Sequence, residues 1–336
     1  MSPAVEPLTL AHIAAAASLA AERHQADRAR EPTLPARLTD AAQVAAQLDA
    51  LIRTPDAAGV AAYQDGALLG FLLGVPWLPD PTSTLAQTVR PRSLRIPYVA
   101  HAGRPGLQVD LYRELYAALA QHWVRSRLFS HYVTVSACDR ESLEAWLSLG
   151  FAHERITGVR SLALDGLASR ATDAHIRRAT TADLETLVAL SRANDRYHAG
   201  APMFDAYLPE AEAETRQSLQ NLVQEQGSAV WLAERSGTPL GVLTLQRSQE
   251  IVAPSERTIH LDLAYLLPDA RGAGTGSALL AQALRWAHTA GYEWCTATWH
   301  TANITGGRYW LHVGFRPLSY RLSRHIDDRT AGVSPL

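Results

Sequence analysis

The chain repeats itself at the spacing of one domain. Asp65-Gly66-Ala-Leu-Leu-Gly70 sets two glycines four residues apart, and Gly237 and Gly241 repeat that spacing 171 residues later. Thr9-Leu-Ala-His-Ile is matched by Thr180-Thr-Ala-Asp-Leu, and Trp-Leu-x-x-Gly-Phe occurs at Trp146–Phe151 and again at Trp310–Phe315. The last pair lies only 164 residues apart, so the first copy holds about seven extra residues; the Pro-rich stretch from Pro76 to Pro97 is the natural place for them. A unit of this length is too long for a solenoid repeat and suits a whole domain. We therefore expect two tandem copies of one fold, residues 1–165 and 174–328. Their boundary should fall near Leu164 to Asp173, where Ala, Ser, Gly and Asp accumulate.

Each copy reads as a helix pair, a hairpin, a strand, a long helix, a strand, a helix and a closing strand. That is an α/β fold, a mixed sheet with flanking helices. In the second copy Ala182–Arg196 and Glu210–Gln224 have helical periodicity, and Ala229–Glu234 and Gly241–Gln246 suit strands.

Composition narrows the function. A net charge of −2 gives no electrostatic reason to expect nucleic acid, and no apolar run reaches membrane-span length. Two cysteines, Cys138 and Cys295, form no disulfide framework and suit a reducing cytoplasm. The Ala-rich start lacks a basic leader and carries His12 and Glu22, which argues against a signal peptide. All 31 basic residues are arginine. No metal site is expected.

The strongest chemical signal is Arg271-Gly-Ala-Gly-Thr-Gly276, between an apolar run from Ile259 to Leu267 and a helical pattern from Ala278 to Ala287. A strand, a glycine turn and a helix start converge backbone N–H groups on one point, and the helix dipole favours an anion there. No Gly-Lys-Ser/Thr follows, so this is not a nucleoside-triphosphate P-loop. Arg-x-x-Gly-x-Gly resembles the pyrophosphate loop of the GNAT acyl-CoA N-acyltransferase superfamily. Two further stretches resemble GNAT motifs in the right order. One is Glu234-Arg-Ser-Gly-Thr-Pro-Leu-Gly241, the other Asn303 through Tyr309-Trp310 to Gly314-Phe315.

The resemblance implies that acetyl-CoA is bound, as co-substrate, by the second copy. Leu266 and Leu267 would lie along pantetheine, with Pro268 three before Arg271. Arg271, Gly272, Ala273, Gly274, Thr275 and Gly276 would cradle the pyrophosphate. Asn303 and Trp310 would complete the donor site. In the first copy Gln108 falls opposite Arg271, Leu111 and Arg113 replace Gly274 and Gly276, and Asp139 stands for Asn303. We expect a degenerate copy that binds no CoA in this way, its side chains blocking close backbone approach.

Strand residues alternate faces, so His260, Asp262 and Ala264 share one side of the strand before the loop. An alkyl ammonium has a pKa of about 10.4, so its proton must be accepted before the amine can attack. Asp262 and His260 are the candidates, at positions where the resemblance implies a base. The same Asp and His could instead pair with each other on a solvated face. The family's usual general acid is a tyrosine where this chain has Trp310, whose indole is no usable acid. The expectation is an N-acetyltransferase acting on a primary amine of a small molecule, cytoplasmic and monomeric, its halves forming an intramolecular pseudo-dimer. A non-catalytic acyl-CoA-binding regulatory or scaffold module is the alternative that Trp310 favours.

Overall fold

A computed structural model describes residues 3–163 and 171–332. The expected boundary therefore falls partly outside the described residues, at 164–170. In chain order the first elements are β1 (Ala4–Pro7), α1 (Ile13–Arg30), α2 (Ala41–Ile52), β2 (Ala58–Gln64) and β3 (Ala67–Trp77). Next come β4 (Ser93–Ile96), β5 (His101–Gly103), α3 (Gln108–Arg125), β6 (Ser130–Ser136), α4 (Arg140–Ser148) and β7 (Ala152–Ser161). The second series is β8 (His175–Arg178), α5 (Leu184–Ala199), α6 (Glu212–Gln224), β9 (Ala229–Arg235) and β10 (Thr238–Arg247). It ends with β11 (Thr258–Leu266), α7 (Thr275–Thr289), β12 (Trp294–His300), α8 (Ile304–His312) and β13 (Arg316–His325).

The repeat seen in the sequence corresponds to repeated local geometry. Thr9 and Thr180 both open a capping box, with φ/ψ of −126/174° and −121/174°. The β2–β3 and β9–β10 hairpins each turn on two residues of positive φ, Asp65-Gly66 (52° and 77°) and Ser236-Gly237 (50° and 76°). Two central residues of positive φ match the twist of the flanking strands, which is why glycine recurs there. Asp139 caps α4 through the Ser142 amide at 3.0 Å, as Asn303 caps α8 through the Gly306 amide at 2.9 Å. Each of these helices then closes on a left-handed glycine, Gly150 or Gly314. The tryptophan ring meets the following phenylalanine edge-on, at 5.0 Å for Trp146–Phe151 and 5.4 Å for Trp310–Phe315.

The compact units, however, are not two consecutive lengths of chain. The first comprises Met1–Pro79, Val89–Ile156 and Leu318–Leu336; the second comprises Asp80–Thr88 and Thr157–Pro317. The expected ranges 1–165 and 174–328 miss three transfers between halves. In the first unit the strand order is β1-β2-β3-β4-β6-β13, with β5 also on β3. Strand β13 pairs antiparallel with β6 from Ser319↔Ser136 to His325↔Ser130. In the second unit the order is β12-β11-β10-β9-β8, and the Thr157–Ser161 end of β7 joins it against β12. Thr157 reaches Thr298 hydroxyl to hydroxyl at 3.1 Å, and the Leu162 amide donates to the Glu293 carbonyl at 2.9 Å. Trp299 lies over Gly158, where a Cβ would approach its ring to 2.4 Å.

Both cores follow from the apolar strands. In the second unit Val230, Leu232, Val242, Leu263 and Tyr265 pack beneath Leu187, Val188 and Leu190 of α5 and Leu219 and Leu222 of α6. No described helix is long and apolar enough to cross a membrane.

Candidate functional site

Strand β11 positions the site. It runs antiparallel to β10 on one side, with a bulge that sets Asp262 and Leu263 opposite Thr244. The Thr244 hydroxyl accepts the Leu263 amide at 3.0 Å, satisfying the backbone group that the bulge frees. On its other side β11 pairs parallel with β12 from Thr258↔Trp294 to Leu261↔Ala297. Beyond Leu261 no further pairing joins these strands among the described residues, although β11 continues to Leu266 and β12 to His300. The fork between them opens at Asp262.

The loop after β11 leaves a row of backbone amides open. Pro268–Ala270 forms one 3-10 turn, and Gly272 and Gly274 take φ of 81° and 80°. Those values favour glycine, and Gly274 is the N-cap of α7. The first helix-closing bond runs from the Ala278 amide to the Gly274 carbonyl at 3.0 Å. The six amides from Gly272 to Ser277 donate to nothing among the described residues. Four unsatisfied amides are inherent to any helix start. Here the left-handed glycines add two more, and the dipole of a 15-residue helix stands behind them.

The remaining donor-site candidates are tied to this loop. Arg271 Nε donates to the Leu266 carbonyl at 3.1 Å, and its guanidinium lies 4.8 Å from the Tyr197 ring centroid and 5.6 Å from that of Tyr265. The Tyr197 hydroxyl donates to Asn303 Oδ1 at 3.4 Å. That oxygen also accepts the Gly306 amide, while the side-chain nitrogen, Asn303 Nδ2, has no partner among the described residues. Leu266 supports Gly276, where a Cβ would come 3.3 Å from its side chain. The Leu267 amide is spent on the Leu240 carbonyl at 2.9 Å.

Residues 166–315 match the model of the acetyltransferase (GNAT) family. They form a GNAT domain. Among solved structures, the chain is similar to a tandem GNAT protein from the clavulanic acid biosynthesis pathway. The TM-score is 0.53 at 14% identity, over 99% of this chain and 100% of that one. It is also similar to a GCN5-related N-acetyltransferase from Sphaerobacter thermophilus, with TM-score 0.58 and 15% identity over 96% and 95%. A third likeness is to the glucosamine N-acetyltransferase region of a fungal multi-domain GH3 β-N-acetylglucosaminidase. There the TM-score is 0.56 at 14% identity, over 96% of this chain and 38% of that one. At such identities the likeness shows the fold, and the fold is the tandem GNAT fold. No curated protein matches the chain at a significant level.

Within the GNAT domain, His260, Asp262 and Ala264 occupy the less buried face of β11. Asp262 is exposed and makes neither a hydrogen bond nor an ion pair among the described residues. His260 does not pair with it: His260 Nδ1 instead meets the buried Thr296 hydroxyl at 3.0 Å. Asp262 lies four residues before Leu266, about 13 Å along the strand, with His260 about 7 Å further.

Trp310 is only 9% exposed, in edge contact with Tyr309 and Phe315. Its ring packs into the core, as the ring of Trp146 does. The neighbouring Tyr309 hydroxyl donates to the Gly276 carbonyl at 3.1 Å, and burial pushes its pKa up to about 12. Tyr197 belongs to none of the cofactor motifs, and its place between Arg271 and Asn303 exists only after folding. No described cluster of three or more His, Cys, Asp or Glu is arranged to hold a metal ion.

The first unit has no comparable loop. Helix α3 begins at Gln108, so the stretch aligned with Arg271 to Gly274 is already helical. The Glu141 carboxylate, in the first turn of α4, accepts the Gly106 amide at 3.1 Å and the Gln108 amide at 3.0 Å. Leu111 points into the sheet, its side chain 2.5 Å from where a Gly70 Cβ would be. The sequence-based reason for degeneracy is corrected accordingly. An early helix start and an internal carboxylate displace the cradle; Leu111 does not obstruct it.

Proposed function

We propose that the chain is an acetyl-CoA-dependent N-acetyltransferase acting on a primary amine of a small molecule, with its chemistry in the second unit. The observation that carries this reading is the row of six unbonded amides from Gly272 to Ser277 at the head of α7. The pyrophosphate of acetyl-CoA lies on them. Arg271 then exchanges the Leu266 carbonyl for phosphate oxygen, which frees that carbonyl to pair with pantetheine. The side-chain Nδ2 of Asn303 supplies a second donor to the same arm.

The reaction is direct attack in a ternary complex, in which proximity provides most of the acceleration. Asp262 takes the ammonium proton through water or holds the ammonium until it is released, and His260 tunes the same face. The amine nitrogen bonds to the thioester carbonyl carbon, the C–S bond breaks, and the thiolate leaves. A thiol pKa near 8.5 lets that thiolate depart and take a proton from water. Tyr309 is a poor acid here, because its hydroxyl is engaged and its pKa is raised.

Calorimetry with acetyl-CoA should give a stoichiometry near one per chain, and an amine panel should release free CoA thiol. Trp310, standing where the family's usual tyrosine would act as the acid, favours a second reading, an acyl-CoA-binding regulatory or scaffold module without turnover. One acetyl-CoA bound with no thiol released from any amine would decide for it.

A further inference from the structure

Tyr197 stands near the C-terminal end of α5, outside the cofactor motifs, yet it touches both ends of the candidate donor site. Its ring is anchored: it packs against the core of the second unit, with its centroid 6.4 Å from that of the Tyr265 ring. The anchored ring meets Arg271, whose guanidinium carbon lies 4.8 Å from its centroid and 5.6 Å from that of Tyr265. The Tyr197 hydroxyl donates to Asn303 Oδ1 at 3.4 Å.

The two contacts constrain different things. Arg271 is exposed, and its only hydrogen bond among the described residues runs from Nε to the Leu266 carbonyl. The N–H groups of its two terminal nitrogens are left open. An arginine side chain carries large rotamer entropy, and binding a ligand normally costs that freedom. Attraction to a ring face acts on the cation as a whole and is indifferent to how the guanidinium turns within its plane. The two tyrosines therefore retain the cation beside the α7 loop while its hydrogen bonds are exchanged. At Asn303, Oδ1 accepts from both the Gly306 amide and the Tyr197 hydroxyl, which uses both lone pairs of that oxygen. The group left without a partner is then the donor, Nδ2.

We propose that Tyr197 is a positioning residue of the donor site: its ring holds the Arg271 guanidinium ready for the pyrophosphate of CoA, and its hydroxyl holds Asn303 with Nδ2 free for the pantetheine arm. The assignment rests on reading the second unit as a CoA site. It adds that the docking of α5, a helix that carries none of the CoA motifs, sets how tightly that site binds. Loop amides and the α7 dipole attract the anion, and Tyr197 reduces the ordering that this attraction must offset.

The test is calorimetry of the full chain with CoA, in single and double variants. Tyr197→Phe keeps the ring and removes the hydroxyl; CoA should bind roughly threefold more weakly, as for the loss of one long hydrogen bond between neutral groups. Tyr197→Leu also removes the ring face and should weaken CoA binding roughly tenfold. Each effect should vanish when its partner is gone. Tyr197→Phe should change nothing in an Asn303→Ala background, and the additional loss in Tyr197→Leu should disappear in an Arg271→Ala background. Additive losses in either background, or wild-type affinity in both Tyr197 variants, overturn the proposal. A residue that merely supported the fold would weaken binding whatever stood at 271 and 303. If Tyr197→Leu does not fold, Tyr197→Phe and its cycle with Asn303→Ala carry the test. No CoA bound by wild type would overturn this role and the acetyltransferase reading together. The expected coupling with no thiol released from any amine would uphold the role of Tyr197 and count against the acetyltransferase reading alone.

Discussion

The turn into α3 and the turn into α7 descend from the same place in the repeat, yet their amides are used in opposite ways. In the first unit the amides of Gly106 and Gln108 are given to the Glu141 carboxylate, from the same chain. In the second unit the amides of Gly272 to Ser277 are given to nothing among the described residues. An internal carboxylate satisfies a helix start permanently, whereas an open one waits for an anion from outside. The contrast teaches that the same fold accommodates either use of these amides. In the first unit the protein supplies its own negative group, the Glu141 carboxylate.

The largest test of this contrast is Gly274→Val. A branched side chain at φ of 80° is strongly disfavoured, so acetyl-CoA affinity should fall by roughly two orders of magnitude or more, with the far-UV circular dichroism unchanged. The same calorimetry should give a stoichiometry near one in wild type; a value near two would break the comparison, because the first unit would then bind as well.

Asp262→Asn comes next. It should lower kcat/KM for the acceptor by roughly two to four orders of magnitude with little change in acetyl-CoA affinity. His260→Gln should act less, chiefly on the acidic limb of the pH profile. Near-normal turnover in Asp262→Asn together with a defect in Tyr309→Phe would move the proton chemistry to α8.

Acid should separate the two units by stability. Burial lowers His24 and His131 to about 4 and His101 to about 3, all in the first unit. A histidine whose folded pKa lies below its unfolded value of about 6.5 stabilises the fold above 6.5 and loses that contribution as pH falls toward the folded value. Asp27, raised to about 6 by burial, acts in the opposite sense but is one group against three. Hydrogen exchange between pH 7 and pH 4 should therefore show the first unit opening before the second; simultaneous opening would remove the distinction.

The smallest expected effect is that of Glu141→Gln. The amide still accepts hydrogen bonds but removes the charge at two helix N–H groups, at a cost of about 1 kcal/mol in chemical denaturation. Acetyl-CoA stoichiometry should stay at one, because α3 has already replaced the loop.

Much of this was readable in the residues. The paired glycines at 66 and 237 marked two equal hairpins, and Thr9 and Thr180 marked two equal helix starts. In both cases the local backbone conformation is what the residue type encodes. Gly272 and Gly274 marked a left-handed turn into α7 for the same reason. What could not be read is non-local. Nothing in the composition of β7 or β13 records which strand edge will receive it, since an apolar strand fits many edges. Pro76 to Pro97 was visible as an insertion, but the destination of Asp80–Thr88 was not. Glu141 looked like an ordinary residue of an α4 first turn until its carboxylate met two amides 33 and 35 residues earlier in the chain.

The exchange of β13 also has a consequence in time. Strand β6 is synthesised by residue 136, but the strand that covers its free side begins to pair only at Ser319. At about 5–20 residues per second, translation leaves that edge open for roughly 9 to 37 s. During this interval the first unit, though made first, waits on the ribosome with an unpaired row of amides and carbonyls. Its completion is tied to the passage of the entire GNAT domain, so the half that emerges first is the half that finishes last.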